Sequence, residues 1–366
     1  MTKPNMRRET GFTLTETLIT VVVSLIVIGC ALAAFNDAIR ANEHVAHMAD
    51  TNDNLRAGMN LMVRDLIQVG QGIPVGGIPI PPGIRRPSPP GQNYTFPLGN
   101  TTLPATNPGA GLGPIIQGQA QPTDMVTILY ADNTLALNQR PINDPTPPVG
   151  TLPCNGTIDP AGTSITFDPN PACIPDITAG STALRPGDLI MFSNVQGNAL
   201  KTVTSIAAPQ VNFASGFASG DAFNLNQVAG AGTLAQLQAP QGSGSYPPTT
   251  VTRVWMVTYY LDASTDPSHT RLVRQVNFSP AQPVGEFFEN LQITYNFVDG
   301  ISNPSNQKSI PVCAPPNCLS ENQIRAVNLF LSARSSNPSS QTGQYFRNGL
   351  ATQVSLRSLA YVDRYR

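Results

Sequence analysis

The sequence predicts an α+β protein: a long N-terminal helix, its first half able to span a membrane, packed on an antiparallel β-sheet in a loop-rich chain with large insertions. Three observations carry this. Residues 12–35 are an apolar run whose one carboxylate is Glu16. No proline occurs between Phe12 and Gly72, and apolar residues recur there at helical spacing. Past residue 121, several short segments alternate apolar and polar residues between turn-forming residues.

Residues 1–11, MTKPNMRRETG, are a short basic leader with Lys3, Arg7 and Arg8 against one acid, Glu9. Positive charge stays on the cytoplasmic side of a membrane, so the chain after residue 35 is expected outside. A helix over 12–35 is ~36 Å long and crosses an apolar layer of ~30 Å. A charge near the bilayer centre costs about 2.5–3.5 kcal/mol, so Glu16 needs a compensating role. An ordinary secretory signal has an apolar core of about 7–15 residues before a small-residue cut site. Here the run is longer, although Gly29-Cys30-Ala31-Leu32-Ala33-Ala34 has the composition of such a site. Gly11-Phe12 ahead of the core and Glu16 within it argue against that reading.

Residues 36–72 continue the helix as an amphipathic rod. Ala38, Ala41, Val45, Met48, Asn52, Leu55, Met59, Met62, Leu66 and Val69 recur at spacings of three and four. Gly70, Gly72 and Pro74 end it. At close to 60 residues, ~90 Å, the whole helix exceeds what one globular core covers, so part of its seam is expected to meet other subunits.

Residues 73–121 are rich in Pro and Gly, cannot hold a helix and lack strand alternation, so they read as an extended or polyproline loop. Residues 122–366 read as a β-rich head. Strands are predicted at 125–130, 164–167, 188–192, 200–206, 251–261 and 291–297, with others on the alternations Val327/Leu329/Leu331/Ala333 and Val354/Leu356/Ser358/Ala360/Val362. The stretch 207–248 reads as an insertion loop or a minor subdomain.

The 21 basic and 22 acidic residues balance, so charge gives no reason to expect a nucleic-acid partner. A basic end, 322–366, has six arginines against Asp363, which suits the polar face of terminal strands as well as an anionic surface. Cys30 lies in the span and reads as a small packing residue. The others form two local pairs, Cys154/Cys173 and Cys313/Cys318, expected as disulfides in an oxidising compartment. The rival, a four-cysteine zinc site, needs C-x-x-C-like knuckles that this spacing lacks. Glu43-His44-Val45-Ala46-His47 matches neither H-E-x-x-H nor H-x-x-E-H. Asp262 and Asp266 are a weak calcium candidate and suit a β-turn better. Gly109-Ala110-Gly111-Leu112-Gly113 follows no strand, and there is no G-x-S-x-G, P-loop or C-x-x-C. No enzyme, metal or cofactor is expected.

The segment Gly11-Phe12-Thr13-Leu14-Thr15-Glu16 behind a basic leader resembles the type III signal of type IV prepilins and pseudopilins. More loosely, 63–70 (VRDLIQVG), 286–295 (EFFENLQITY) with Asp299-Gly300, and 324–334 with 354–366 resemble larger minor pilins of the PilW type and J-type pseudopilins. The resemblance implies a pilin-like fold and cleavage after Gly11 by a prepilin peptidase. Phe12 would become the N-methylated N-terminus, and Glu16 would pair with the N-terminal amine of a neighbouring subunit. Many major pilins carry a proline in mid-span; this chain has none, and its length favours a low-copy minor subunit. It would sit in the inner membrane with its N-terminus cytoplasmic. Its partners would be other pilin subunits, the peptidase and the inner-membrane assembly platform, and it would reach the cell surface in a type IV pilus, priming assembly near the tip. The alternatives are a type II secretion or competence pseudopilin, or a filament-borne adhesin or DNA-uptake subunit.

Overall fold

The structure is a computed structural model that describes residues 11, 13–96, 101–135, 137, 142–143, 156–168, 170, 177, 183–298, 305–311, 313–314, 317–340 and 342–360. One helix, Leu14–Gln68, runs for 55 residues. Gly70 and Gly72 follow it at φ 79° and 68°, a left-handed conformation that halts the helix and that a side chain would strain. It is the one helix among the described residues long and apolar enough to cross a membrane. The chain divides into two compact units: Met1–Asn52 with Ser335–Arg347, and Asp53–Arg334 with Asn348–Arg366.

In the first unit, every described residue from 11 to 42 is exposed. Further along, a hairpin tip meets the helix. Glu43 accepts hydrogen bonds from the backbone N–H and hydroxyl of Ser340. His44 meets Phe346 edge to face, with ring centroids 5.5 Å apart.

The second unit is built on a seven-stranded antiparallel sheet. Its main order is Gly197–Thr202, Leu189–Asn194, Thr250–Asp262, Arg271–Val276 and Gln282–Glu286, with Met125–Ala131 also on Thr250–Asp262 and Thr106–Gly109 beyond it. A four-stranded antiparallel sheet has the order Ser305–Lys308, Phe288–Phe297, Ile324–Pro338, Tyr345–Ser355. Leu55, Met59, Met62, Leu66 and Val69 of the helix seam fill a core with Val126, Ile128, Val257 and Tyr259 of one sheet and Leu291, Ile293, Leu329 and Leu331 of the other. Each such side chain, once buried, contributes about 1.5–3 kcal/mol, so helix and sheets hold each other. Gly58 lets the helix approach closely: a Cβ there would lie 2.8 Å from Leu272.

Several expectations are corrected. The helix seam is not among them, since only part of it was expected on this chain's own core: it is buried from Leu55, and Ala38, Ala41, Val45 and Met48 are exposed. The 73–121 segment is not strand-free, since it holds Ile78–Pro79, Arg85–Arg86, Tyr94–Thr95, Thr102–Leu103 and Thr106–Gly109. Ile78, Ile80, Ile84, Phe96 and Leu103 pack with Leu129, Met191, Leu200 and Met256, covering that face of the large sheet. Residues 207–248, read as an insertion loop or a minor subdomain, contribute Val211, Phe213, Leu234, Leu237 and Tyr246 to a second core with Phe192 and Val251. The 200–206 strand is two, Gly197–Thr202 and Ser205–Ala207. The alternation read from Val354 to Val362 stops at Ser355; Arg357–Ala360 is a short helix, and the strand reaches back to Tyr345 instead.

Candidate functional site

The N-terminal segment is arranged around Thr13 and Glu16. Gly11 is exposed, and a Cβ built on it meets nothing within 4 Å. Phe12 lies outside the described residues. Thr13 stands before the first helical residue, and its backbone N–H and hydroxyl both donate to Glu16 Oε2 at 3.0 Å. In return the Glu16 N–H donates to Thr13 Oγ1 at 3.4 Å. This reciprocal pair is a capping box, which satisfies two of the donors that a helix start leaves open. Glu16 is therefore turned toward the chain end preceding the helix. Thr17 and Thr20 bond their hydroxyls back to the carbonyls of Leu14 and Glu16, at 2.9 and 2.7 Å. Thus Glu16 carries the one carboxylate in an otherwise apolar, fully exposed stretch that includes Leu14, 81 % exposed, and Phe35, 70 % exposed.

The cysteines fall in different places. Cys30 is free and exposed on the helix. Cys313 and Cys318 are directly opposite each other in the antiparallel pair Cys313–Ala314 and Asn317–Cys318. Opposed strand residues have Cα atoms about 4.5–5.5 Å apart, inside the range a disulfide needs. Cys154 and Cys173 lie outside the described residues.

Other candidates are used locally. His47 Nε2 is 3.6 Å from Glu43, and the hydrogen bonds from Ser340 hold the Glu43 carboxyl below its ordinary pKa. Asp262 caps the Ser264 N–H and Asp266 the Ser268 N–H, each closing its own turn. Among the described residues no group of three or more His, Cys, Asp or Glu is placed to hold a metal. In the basic end, Arg325 donates to the Asn322 carbonyl and Arg334 approaches Glu289 at 3.8 Å, while Arg364 and Arg366 are outside the described residues.

The buried charges were not legible in the sequence, because each sits at an unremarkable strand or loop position. Arg253 pairs with Asp132 and lies 3.7 Å from Asp188. Burial pushes Asp188 up, against the pull of Arg253. Arg86 donates to the carbonyls of Asn107 and Pro108, and burial lowers its pKa to about 10. Lys201 donates to the carbonyls of Leu225 and Gln227, at 3.4 and 2.9 Å. Each of these ties a loop to the large sheet, a structural task.

No protein-family model matches the chain, and no curated protein or solved structure matches it either.

Proposed function

We propose that the chain is a non-enzymatic filament subunit of the type IV prepilin class, a minor pilin cut after Gly11 and assembled through its N-terminal helix. One observation carries most weight: the exposed apolar surface of the helix from Leu14 to Phe35, with Glu16 at its start. An apolar helix of this length is stable only in lipid or against other apolar helices. A filament offers the second surroundings in exchange for the first. Residues 1–11 would remain cytoplasmic and be removed, and the chain beyond the span would face outward.

Cleavage before Phe12 creates an ammonium group next to Thr13, whose own N–H lies 3.0 Å from Glu16 Oε2. A carboxylate and an ammonium in apolar surroundings are each costly alone and far less so as a pair. Glu16 of one subunit would take the amine of its neighbour and so fix the axial register. The opposed Cys313 and Cys318 fit disulfide formation outside the cytoplasm.

The test compares two variants in the cells that make the protein. Glu16→Ala should be cut normally and be lost from sheared surface filaments; normal incorporation would refute the pairing role. Gly11→Ala should leave the leader in place, visible as an unshifted mass.

A further inference from the structure

The edge of the four-stranded sheet is a candidate interaction surface. Tyr345–Ser355 is its outermost strand, with 11 residues. The Leu356 N–H donates to the Arg325 carbonyl at 2.8 Å, and Gln353 meets Asn328 across the pair. Antiparallel pairing alternates, so even-numbered residues turn their backbone groups toward Ile324–Pro338. The odd-numbered Gly349, Ala351, Gln353 and Ser355 turn theirs outward, and all four are exposed. The Gly349 N–H is bonded by the Asn348 side chain, which leaves the outward groups of Ala351, Gln353 and Ser355 without a partner among the described residues.

Natural sheets blunt such edges with charge, proline, shortness or a covering loop. The other edges follow that pattern. Gln282–Glu286 contains Pro283 and ends in a carboxylate. Ser305–Lys308 is four residues long and ends in lysine. On Gly197–Thr202, the Thr202 backbone is bonded by Asn226. On Tyr345–Ser355 the exposed Arg347 and the Asn348 cap on Gly349 are such devices, but residues 350–355, LATQVS, carry none.

We infer that Leu350–Ser355 accepts an uncharged β-strand from a different subunit. The pattern specifies the visitor's chemistry. Leu350 packs against the main core and Val354 is buried in it, whereas Ala351, Gln353 and Ser355 face water. A strand added here extends both surfaces, so it alternates apolar with small uncharged residues. A two-fold pair of this chain does not fit. Gly58 of the helix lies against Leu331, whose carbonyl oxygen would be 3.7 Å from a Cβ on Gly349, and Gly70 lies against Leu359, so helix and edge strand run in the same direction. Antiparallel pairing of two copies would reverse one helix, although both enter from membrane-spanning ends. A parallel two-fold pairing would bring outward residues into register with each other, whereas a parallel ladder needs them offset by one.

The filament arm of the test rests on the proposed function; a second arm does not. Full-length wild type, Ala351→Pro and Gln353→Lys are produced in the cells that make the protein. Proline at 351 removes an N–H that the fold does not use, and lysine at 353 adds only an edge charge. Both variants should reach wild-type amounts in the membrane and fall about tenfold in sheared filaments, as expected when an edge pairing is blocked. Should Ala351→Pro fail to fold, Gln353→Lys alone decides. Unchanged incorporation of the folded variants, with Glu16→Ala still excluded, overturns the edge assignment and leaves the filament reading standing. If wild type is absent from filaments, that reading fails. The edge is then read from the size of the detergent-solubilised complex: a shift to the lone chain in the variants supports strand addition, and no shift overturns it. A wild-type complex made of this chain alone, lost in the variants, overturns the assignment to a different subunit.

Discussion

Asp65 on the long helix and Arg274 on the strand Arg271–Val276 form an ion pair of 2.6 Å beside the main core. The Tyr259 hydroxyl donates to the same carboxylate oxygen at 2.7 Å. Burial works against the charge on Arg274, but the hydrogen bond and charge of Asp65 outweigh it and hold its pKa above the ordinary value. Burial and the neighbouring Asp65 charge push the Tyr259 hydroxyl the same way. The helix is thereby fixed to the sheet at one polar point within an apolar interface.

Asp65→Ala leaves a half-buried guanidinium without its carboxylate and should cost about 3 kcal/mol, the low end for a broken buried pair. Tyr259→Phe removes one hydrogen bond and should cost about 1 kcal/mol. Chemical unfolding of the full chain in detergent ranks the two; equal costs would deny Asp65 its anchoring role.

Gly58 is expected to resist enlargement. Glycine inside a helix is usually improved by a side chain, by about 1 kcal/mol. Here a Cβ would lie 2.8 Å from Leu272 and 3.3 Å from Leu331. Gly58→Ile should therefore destabilise by about 1–3 kcal/mol, as overpacking does. A gain in the same unfolding assay would show that the helix is not pressed this closely to the sheet.

The long helix was legible because 12–35 is a proline-free, largely apolar run with one charged residue, Glu16, and because Leu55, Met59, Met62, Leu66 and Val69 keep the helical period to the end. The strands around Tyr259, Ile293 and Leu331 were legible for the same reason at period two. The earlier seam, Ala38 to Met48, has the same spacing yet is exposed, since periodicity records which face is apolar and not what covers it. The short strands between 78 and 109 were missed because proline and glycine mask two-residue ladders; Arg86, with no acid partner in sequence, gave no sign of holding them down. At the site, Gly11 and Glu16 were visible as residue types, and Thr13-x-x-Glu16 has the form of a capping box, an available signal.

Lys201 should make stability depend on pH. Burial lowers its pKa to about 8, despite the opposing pull of Asp221. The unfolded chain then binds more protons between pH ~8 and ~10.5, so stability rises with pH over that window, by up to about 3 kcal/mol. Tyr260 acts oppositely: burial pushes it up to about 12, so its contribution is lost as pH climbs above 10. Stability should peak near pH ~10, and Lys201→Met should lack the rise from pH ~8. An unchanged profile in the variant would place the titration elsewhere.

The cysteines give a chemical test of the compartment. Alkylation of the denatured, unreduced chain should label Cys30 alone, and reduction should expose Cys154, Cys173, Cys313 and Cys318. A peptide linking Cys313 to Cys318 should appear before reduction. Labelling of all five without reductant would contradict an oxidising location.

The N-terminus of the chain isolated from the membranes of its own cells tests the proposed function most directly. Intact mass and N-terminal sequencing should find a chain beginning at Phe12, with its amine methylated and residues 1–11 gone. A chain beginning at Met1, or one cut beyond Ala34, would contradict it, because Glu16 could then have no neighbouring amine to meet.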